Sequence, residues 1–454
     1  MSATAEPGVV RARATERRLL LFALVIVMSA YTILGLSQSS RVPAGTLLYG
    51  AALAALAAVA HLAVRRYAPH ADPVLLPVVF LLNGLGLVLI RRIDFDADTR
   101  LAVAQTTWTF VAIAAFALTL FLLRDHRRLA TFRYTAGLLA IVLLVLPLLP
   151  KIGATINGAR LWLRLGPLSF QPGEIAKVAI VVFLAGYLAE KRQMLSVATT
   201  RFGPFLLPSA RHLAPVIAAA AIGIGILVMQ RDLGSSLLFF GVFMVSLYVA
   251  TGRFAYPLVG LTAFSLGTFL AYNSFSHVRT RFDIWLDPWA DPLGSGYQLV
   301  QSLFAFGTGG LTGTGLGLGL PGEIPFVATD AIFAVAGEEL GLMGTTALLV
   351  CFLLVVARGF KAALTANDDV GVLLATGLTT ILALQVFVII GGVTRLVPLT
   401  GITLPFMSYG GSSLVSNYVI VALLLRISDD GRGSARAQTA RIERARPQPN
   451  PAPA

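Results

Sequence analysis

Long apolar stretches recur along almost the whole chain. Each is about 14–26 residues long, close to the ~20 that a helix needs to cross the ~30 Å hydrocarbon core of a bilayer. A backbone in lipid must satisfy its own hydrogen bonds, which leaves α-helices or a closed β-barrel. The stretches do not alternate polar and apolar residues as barrel strands do. With only 13% charged residues, the sequence predicts an all-α polytopic membrane protein.

About twelve of these stretches are candidates for membrane-spanning helices. Val216–Met229 and Leu233–Val249 are separated only by Gln230–Gly234, and together they are about twice as long as one span. We therefore expect a tight turn between them. The predicted spans are Leu19–Leu36, Thr46–Val64, Val74–Ile90, Val103–Leu123, Ala136–Leu149, Ile175–Leu188, Val216–Met229, Leu233–Val249, Pro257–Tyr272, Ala331–Val356, Val370–Ile390 and Tyr409–Leu425.

Basic residues are concentrated in every second connection between the predicted spans. By the positive-inside rule, these connections and both termini are cytoplasmic, and the long connection Phe275–Asp330 lies outside. The same distribution accounts for the net charge of +13, so we expect no nucleic-acid partner. The basic residues of the predicted inner side include Arg65, Arg66, Arg124, Arg127, Arg128, Arg133, Lys191, Arg192, Arg201, Arg211, Arg253, Arg358, Lys361, Arg432, Arg436, Arg441, Arg444 and Arg446.

Cysteine and histidine give no metal or redox signal. Cys351 is the only cysteine, so a disulfide within the chain is excluded and a cysteine-based metal site is not expected. The five histidines are scattered without the spacing of metal ligands, which indicates interfacial or loop positions.

Two polar positions lie close to predicted spans. Glu174 and Lys177 are three residues apart, so they share a helix face and can pair. Charges at this depth usually face the bundle interior or a cavity, and the sequence leaves open whether the pair fixes packing or serves a function. Asp232 is expected to cap the helix that follows it, the alternative being that it lines an outward-facing cavity.

The connection Phe275–Asp330 is about 55 residues long, and loops of this length in compact proteins are commonly functional. Asp-Pro steps at Asp287 and Asp291 predict turns that hold a carboxylate at the lipid–water boundary. Such a carboxylate can act as a general base or bind a divalent cation. On the residues alone, it is equally consistent that both aspartates cap turns.

A short helix is predicted directly after these turns. From Tyr297 onward, apolar residues recur at helical spacing, while Gln298, Gln301 and Ser302 occupy the other face. This pattern is typical of a helix that lies on the membrane surface.

A glycine-rich stretch, Gly307–Gly319, follows. It lacks the Gly-Lys-Ser/Thr ending of a nucleotide-binding loop, and it favours close backbone approach or a hinge. Asp330 then opens a span in which Glu338 and Glu339 lie about two turns from the start, too deep for both to face lipid.

The last polar region combines a cation with hydroxyl groups. Arg395 lies on the predicted outer side, followed by Ser408, Ser412 and Ser413. Together they could bind an anionic headgroup such as a diphosphate. Alternatively, the Gly-Gly-Ser-Ser step that ends at Ser413 is a re-entrant turn with small-residue packing.

These polar segments together resemble the SEDS family, the RodA and FtsW proteins of bacterial cell elongation, division and sporulation. The resemblance covers Val74 to Ile427. Within the family the chain looks most like the actinobacterial RodA-type proteins, partly through Val393–Pro398 and Asp72–Pro77. The motifs that carry it, in the family's order, are Asn157–Trp162, Gln171–Lys177, Asp232–Gly234, Asp291–Gln298, Asp330–Gly341 and Leu404–Ser413.

The resemblance implies a ten-helix core at residues 74–427, with the extracytoplasmic loop at 275–330. An N-terminal cytoplasmic tail (1–18) and two additional helices (19–73) precede this core. The proline-rich ending of residues 428–454 predicts a disordered cytoplasmic tail. The family's Gly-Ala-x-Arg-Trp motif reads Gly-Ala-Arg160-Leu-Trp162 here, so the arginine stands one position earlier.

The implied activity is that of a peptidoglycan glycosyltransferase, which polymerises lipid II at the outer face of the plasma membrane. The implied partner is a class B penicillin-binding protein that cross-links the new strand. The family's essential aspartate aligns with Asp291, whose implied role is to deprotonate the acceptor hydroxyl, directly or through a bound Mg²⁺ or Mn²⁺. No other cofactor is implied.

Roles follow for the other polar residues. Those assigned to substrate binding are Lys151, Arg160, Trp162, Glu174, Lys177, Tyr297, Gln298, Gln301, Arg395, Ser408 and Ser412. Those assigned structural roles are Asp232, Asp330, Glu338 and Glu339. Two rival functions are a transporter that flips lipid II, which the intramembrane charges would favour, and a non-catalytic scaffold that recruits a synthase.

Overall fold

A computed structural model describes residues 7–39, 41–42, 45–150, 152–156, 159–165, 168–196, 200–202, 205–207 and 210–445. The α-helices in these ranges are α1 (Pro7–Ser39), α2 (Thr46–Tyr67), α3 (Leu75–Ala97), α4 (Leu101–Leu122), α5 (Arg128–Thr131), α6 (Arg133–Val145), α7 (Gly173–Ser196), α8 (Ala210–Met229), α9 (Leu233–Thr251), α10 (Ala255–Ser274), α11 (Ser276–Leu286), α12 (Tyr297–Gly309), α13 (Ile332–Leu364), α14 (Asp369–Val393) and α15 (Gly411–Ala445).

The helices confirm a polytopic helical membrane protein. Within the described ranges, nine of them are long and apolar enough to cross a bilayer, and α6 and α8 contribute shorter apolar stretches. Each of the twelve predicted spans coincides with a helix. The twelfth helix, beyond these eleven, is α7, which carries charges at its start and end. Twelve crossings therefore stays a prediction.

Helices α3, α14 and α15 form the centre of the bundle. About four-fifths of the apolar window of each is buried inside the protein, against 6% for α10 at the periphery. Helix α15 packs on α4, and α14 packs on α7, α9 and α13. Tyr418 lies at the core, with its ring edge-on to Phe116 and Phe406 at centroid distances of 6.3 and 5.8 Å. Such edge contacts add to the burial of a large apolar surface.

Two helices extend beyond the predicted limits. Helix α1 begins at Pro7, inside the expected N-terminal tail. Helix α15 continues to Ala445, past residue 428 where the disordered tail was expected to begin, and residues 446–454 lie outside the described part. The cause is tertiary anchoring that composition does not reveal: Asp72 forms an ion pair with Arg432, and Asp429 accepts a hydrogen bond from the His70 N–H at 2.6 Å.

Two connections between helices contain short β-strands, which the all-α prediction did not anticipate. On the predicted outer side, β1 (Gly153–Ile156), β2 (Ala159–Leu165) and β3 (Leu168–Phe170) form an antiparallel sheet in the order β1-β2-β3. On the predicted inner side, β4 (Thr200–Phe202) pairs with β5 (Phe205–Leu207). The sheet β1–β3 leads into α7 and brings its polar start to the bundle.

Candidate active site

The connection 275–330 is built around two helices separated by a turn. Helix α11 occupies its start and α12 its middle, and the carboxylates of Asp287 and Asp291 lie between them. Asp287 accepts a hydrogen bond from the Trp289 N–H at 3.1 Å and so caps a single 3₁₀ turn, Pro288–Ala290. Both Asp-Pro steps therefore make turns, as their composition predicts.

Asp291 joins that turn to α12. Its Oδ2 accepts hydrogen bonds from the Ser295 N–H at 2.7 Å and the Ser295 hydroxyl at 3.0 Å. Its backbone carbonyl accepts from the Gly294 and Gly296 N–H groups. The Ser295 bonds favour the charged form, so the pKa of the Asp291 carboxyl lies below its ordinary value. The carboxylate is exposed and ionised at neutral pH, and Oδ1 accepts no hydrogen bond from any described residue.

Asp291 opens onto a cavity of about 430 Å³ between α11 and the turn. Asp283 and Asp287 line the same cavity, so its walls carry three carboxylates. These three do not converge as a preformed three-ligand group in the described chain. A Mg²⁺ ion here would be held by one or two carboxylates together with water and substrate phosphate, which is the usual arrangement for this ion.

Helix α12 is present as predicted, but its faces differ from the prediction. Leu299 and Val300 are buried against α13, and so is Ser302, which was expected on the polar face. The Ser302 hydroxyl donates to the Gln298 carbonyl at 2.9 Å, which satisfies it without water. Helix α12 is therefore packed on the bundle, because α13 supplies a partner that a helix on a free membrane surface would lack.

Tyr297, Gln298 and Gln301 are half-buried at the start of α12. The Gln298 side-chain Nε2 is buried without a hydrogen-bond partner among the described residues. A buried donor of this kind is costly unless a ligand or water satisfies it. Of the three, Gln298 has the strongest structural reason to contact a substrate.

Glu338 and Glu339 meet the glycine-rich segment 307–319. Helix α13 is broken at Gly341, whose φ of 66° favours glycine, and its freed backbone groups pair with this segment. Leu342 N–H donates to the Gly310 carbonyl at 2.9 Å, and Thr314 N–H donates to the Glu338 carbonyl at 2.9 Å. The close backbone approach expected of the glycines is thus made to α13.

The glutamate side chains hold the same segment. Glu339 accepts from the Gly317 N–H at 2.9 Å and from Arg92 Nε at 2.8 Å, and both charged side chains are almost fully buried. Glu338 accepts from the Leu320 N–H at 3.1 Å. These contacts support the structural roles expected of both glutamates, and they leave Glu339 paired with a cation.

A second polar cluster lies inside the bundle, where α7 meets α14 and α15. Lys177 Nζ is 2.6 Å from Glu174 Oε2, so the expected pair is formed. Lys177 also donates to Gln385 Oε1 and Asn417 Oδ1, each at 3.2 Å. Lys177 is only 6% exposed, so its charge is held inside the bundle by the Glu174 carboxylate and two amide oxygens.

Ser408 and Ser412 are buried and bound to backbone. The Ser408 hydroxyl donates to the Thr329 carbonyl at 2.5 Å and accepts from the Leu404 N–H. The Ser412 hydroxyl accepts from the Gln171 N–H at 3.0 Å. The prediction that these two bind a diphosphate is not supported by their positions, because their bonds fasten the chain after α14 to neighbouring connections. Sequence alone does not distinguish a buried hydroxyl from an accessible one.

Arg395 lies against the end of α11. Its Nε donates to the Trp285 carbonyl at 2.9 Å and its Nη2 to the Leu286 carbonyl, while Trp285 Nε1 donates to the Arg395 carbonyl at 3.1 Å. This brings a residue expected to bind substrate next to the two residues that precede Asp287.

Asp232 caps α9 through a 2.9 Å hydrogen bond from the Ser235 N–H, so the capping interaction is present.

Asp330 and Arg281 both approach Gly401, where an added Cβ would lie 3.4 Å from Asp330 Oδ2 and 3.7 Å from Arg281 Nη2. Burial raises the pKa of Asp330 to about 6, against the opposing effects of Thr329 and Arg281.

The substrate-binding residues predicted between α6 and α7 lie on a different connection from Asp291. Arg160 and Trp162 lie in β2, with the Arg160 side chain exposed, and the Arg160 N–H donates to the Gln230 carbonyl at 3.4 Å. Among the described residues, no hydrogen bond or ion pair joins either of them to the turn of Asp291. Lys151 lies outside the described residues.

A large apolar cavity of about 640 Å³ lies beside the loop, between α8, α9, α10 and α11. Arg281 and Val397–Thr400 are among its lining residues, most of which are apolar. An apolar cavity with a cation in its lining suits a lipid that carries an anionic headgroup.

A metal-ligand arrangement occurs at the opposite, predicted inner side. The ligand atoms of His126, Asp368 and Asp430 all lie within 4.8 Å of one another. Arg127 donates to Asp368 at 3.0 Å and to Asp430 at 3.2 Å, so a fixed cation already neutralises these carboxylates. No sequence spacing had indicated this group.

Helix α11 is the element of the site that the sequence analysis missed. Val278, Phe282 and Trp285 recur at helical spacing, and this pattern could have revealed it. The pattern is hard to recognise because four of the eleven residues are charged or histidine. They are His277, Arg279, Arg281 and Asp283.

The sequence has clear relatives. Residues 73–433 match the family model described as the FtsW, RodA and SpoVE cell cycle proteins. A peptidoglycan glycosyltransferase RodA of Mycobacterium tuberculosis is 48% identical over 94% of this chain and 92% of its own length. The RodA of Mycobacterium leprae is 45% identical over 96% of this chain and 94% of its own length. Stage V sporulation protein E of Bacillus subtilis is 36% identical over 79% of this chain and 96% of its own length.

Solved structures show the same fold. A chain from a study of how a peptidoglycan synthase complex coordinates polymerization and crosslinking is 31% identical, with a TM-score of 0.64, over 80% of this chain and 98% of that chain. A variant of the rod shape determining protein RodA of Thermus thermophilus is 28% identical, with a TM-score of 0.55, over 79% of this chain and 98% of that chain.

Proposed function

We propose that this chain, which belongs to the FtsW, RodA and SpoVE family of cell cycle proteins, is a peptidoglycan glycosyltransferase that polymerises lipid II during cell elongation or division. Relatives that match more than nine-tenths of the chain bear that enzyme's name. The observation that carries the mechanism is the carboxylate of Asp291, ionised, exposed and held at the mouth of a cavity.

Asp291 is the general base in this proposal. Ser295 occupies Oδ2, which leaves Oδ1 to accept the proton of the acceptor sugar hydroxyl. The acceptor oxygen forms a bond to the anomeric carbon of the donor as the bond from that carbon to the lipid diphosphate breaks. A general base within hydrogen-bond reach of the acceptor contributes typically ~10²–10⁴-fold to such a rate.

The leaving diphosphate requires positive charge near the membrane surface. Arg281, which lines the 640 Å³ cavity, is our candidate for this cation, with the lipid chain lying among the cavity's apolar residues. A Mg²⁺ or Mn²⁺ ion bound by Asp291 would add charge neutralisation, and the carboxylates that line the 430 Å³ cavity suit such an ion. Lys151, Arg160 and Trp162, in the outer connection between α6 and α7, remain candidates for contact with the sugar or diphosphate.

We place this site on the outer face of the plasma membrane and both termini in the cytoplasm. Support comes from the basic residues of the alternate connections. Leu293, two residues from Asp291, is 87% exposed. In whole cells, a Leu293→Cys variant in a Cys351→Ala background should react with a membrane-impermeant maleimide. Labelling only after the cells are broken would contradict the orientation.

The partner we propose is a class B penicillin-binding protein that cross-links the product. Support comes from the similarity to a chain of a peptidoglycan synthase complex in which polymerization and crosslinking are coordinated. The partner encoded in the same organism should co-purify with the tagged chain in detergent and raise its rate of chain formation. Absence of both effects would contradict this assignment.

The deciding experiment compares two isosteric variants. Purified protein is incubated with lipid II, Mg²⁺ and the partner, and glycan chains are resolved on a gel. Asp291→Asn keeps the acceptor for Ser295 but removes the base, so we expect at least about a hundredfold loss. Glu323→Gln, at an exposed carboxylate of the same loop that does not line this cavity, serves as the matched control. Translocation of lipid II without chains would favour a flippase, and equal loss in both variants would reject Asp291 as the specific base.

A further inference from the structure

We infer that Arg395 and Trp285 form a clasp that positions α11 against Asp291, so that Arg395 is a positioning residue of the glycosyltransferase reaction and not a ligand of the diphosphate. The inference rests on the proposed function of Asp291. It assigns Arg395 a different role from the one its charge alone predicts.

The clasp consists of hydrogen bonds that run in both directions. Arg395 donates through Nε to the Trp285 carbonyl and through Nη2 to the Leu286 carbonyl. The indole N–H of Trp285 donates back to the Arg395 carbonyl at 3.1 Å. Arg395 adopts a φ of 62°, a left-handed conformation that is unfavourable for a residue with a side chain. The reciprocal bonds stabilise this backbone conformation.

The chemistry of a helix end explains why an arginine serves here. The last carbonyls of a helix have no partner within it, and a cation near them also interacts favourably with the helix dipole. The guanidinium presents N–H groups in a rigid fork, which reaches two adjacent carbonyls at once. In α11 these carbonyls belong to Trp285 and to its last residue, Leu286.

The end of α11 leads directly to the carboxylates. Asp287 follows Leu286, its N–H donates to the Asp283 carbonyl at 2.8 Å, and its side chain caps the turn that precedes Asp291. Helix α11 also forms one wall of the 430 Å³ cavity, with Asp291 on the other. A displacement of the helix end would therefore change the width of the cavity at the proposed base.

A second contact from the same segment holds the other half of α11. Arg281 Nη1 donates to the Leu399 carbonyl. The segment Arg395–Leu399 thus contacts α11 both at Arg281 and at the end of the helix. The start of this segment is itself fixed, because the Leu396 N–H donates to the Gly391 carbonyl at 2.7 Å. The rigid end of α14 is in this way linked to the wall of the cavity.

A double-mutant cycle tests the clasp. Arg395→Lys keeps the charge but cannot reach both carbonyls, and Trp285→Phe keeps an aromatic ring but loses the N–H donor. We expect each to lower kcat by about tenfold or more with KM for lipid II nearly unchanged, because a misplaced base affects chemistry more than binding. The double variant should be no worse than either single one.

Arg279→Lys, another arginine on α11, is the control and should retain activity. Its guanidinium donates to the Asn273 carbonyl at 3.2 Å, away from the clasp. A rise of KM in Arg395→Lys with Trp285→Phe unaffected would show that Arg395 binds the diphosphate and would overturn the inference. Full activity in both variants would overturn it as well.

Hydrogen–deuterium exchange separates this inference from the proposed activity. Arg395→Lys should speed exchange at the Trp289 and Ser295 amides by about tenfold, since their acceptors lie in the turn that the clasp holds. Unchanged exchange at both amides would overturn the positioning role. A wild-type protein that makes no chains would instead reject the proposed function, and the exchange result would still stand.

Discussion

The side-chain amide of Gln38, in the last turn of α1, donates to the backbone carbonyl of Gly317 at 2.5 Å. Gly317 in turn donates its N–H to Glu339, which is paired with Arg92. Helix α1 precedes the residues that match the family model. It nevertheless ends against the glycine-rich segment that supports α12 and α13, which gives this N-terminal helix a structural link to the extracytoplasmic loop.

Gly317→Ala should destabilise the protein. A Cβ at this position would lie 2.0 Å from Ser37 Oγ, and the φ of 88° disfavours any side chain. Overlap costs about 1–3 kcal/mol and the left-handed backbone about 1–2 kcal/mol. We expect a clear drop of Tm in detergent. Gly307→Ala, where the Cβ meets open space in α12, is the control, and an equal drop there would contradict the explanation.

Ser295→Ala should shift the pH dependence of chain formation. The pKa of Asp291 is lowered chiefly by hydrogen bonds from Ser295, and this variant removes the hydroxyl bond while it keeps the N–H bond. The pKa of Asp291 should rise, so the acidic limb of the rate–pH profile should move to higher pH. At pH 8 the base is ionised in both proteins, and the rates should be similar. An unchanged acidic limb would mean that Asp291 is not the group that titrates.

Arg92→Met should be among the most destabilising changes in the outer half of the bundle. It leaves Glu339, which is 1% exposed, without its cation. Breaking one partner of a buried ion pair costs about 3–5 kcal/mol. The neighbouring Arg91 lies over the rings of Tyr31 and Phe95, and Arg91→Met should cost only about 0.5–1 kcal/mol. Thermal unfolding of both variants checks this order, which the reverse ranking would disprove.

Lys177→Met should reduce activity through folding. Lys177 is almost fully buried and already contacts Glu174, Gln385 and Asn417, so its charge is engaged inside the bundle and not with lipid II. We expect a lower Tm, while the KM of the folded fraction stays within about twofold of wild type, because a lost ground-state contact is what would raise KM. A rise of KM with unchanged Tm would instead place Lys177 in the substrate site.

The long elements were predictable because they depend on local physics. Apolar stretches of sufficient length must become helices in lipid, and each predicted span coincides with one. The turn at Gln230–Gly234 and the cap by Asp232 follow from side-chain chemistry within a few residues. The pair Glu174–Lys177 is equally local, since helical spacing brings its members together.

The roles of single polar residues were less predictable. The sequence predicted accessible hydroxyls at Ser408, Ser412 and Ser302. In the structure all three are buried and hydrogen-bonded to backbone groups. Whether a hydroxyl faces a cavity or a carbonyl depends on chain segments that lie far away in sequence. Helix α11 was missed for a related reason, because Arg281 and the carbonyls at the end of the helix pair with the distant segment Arg395–Leu399.

By itself, the amino-acid sequence determined the helical membrane architecture, the polar loop and the turn-forming aspartates, because each depends on hydrophobicity or on contacts between near neighbours. Only the tertiary structure decided that Arg395 contacts α11 and that Ser408 and Ser412 are buried. It also decided that Glu339 pairs with Arg92, 247 residues away in the chain. The physical reason is that a buried charge or donor must find a partner, and that partner is supplied by packing across the bundle.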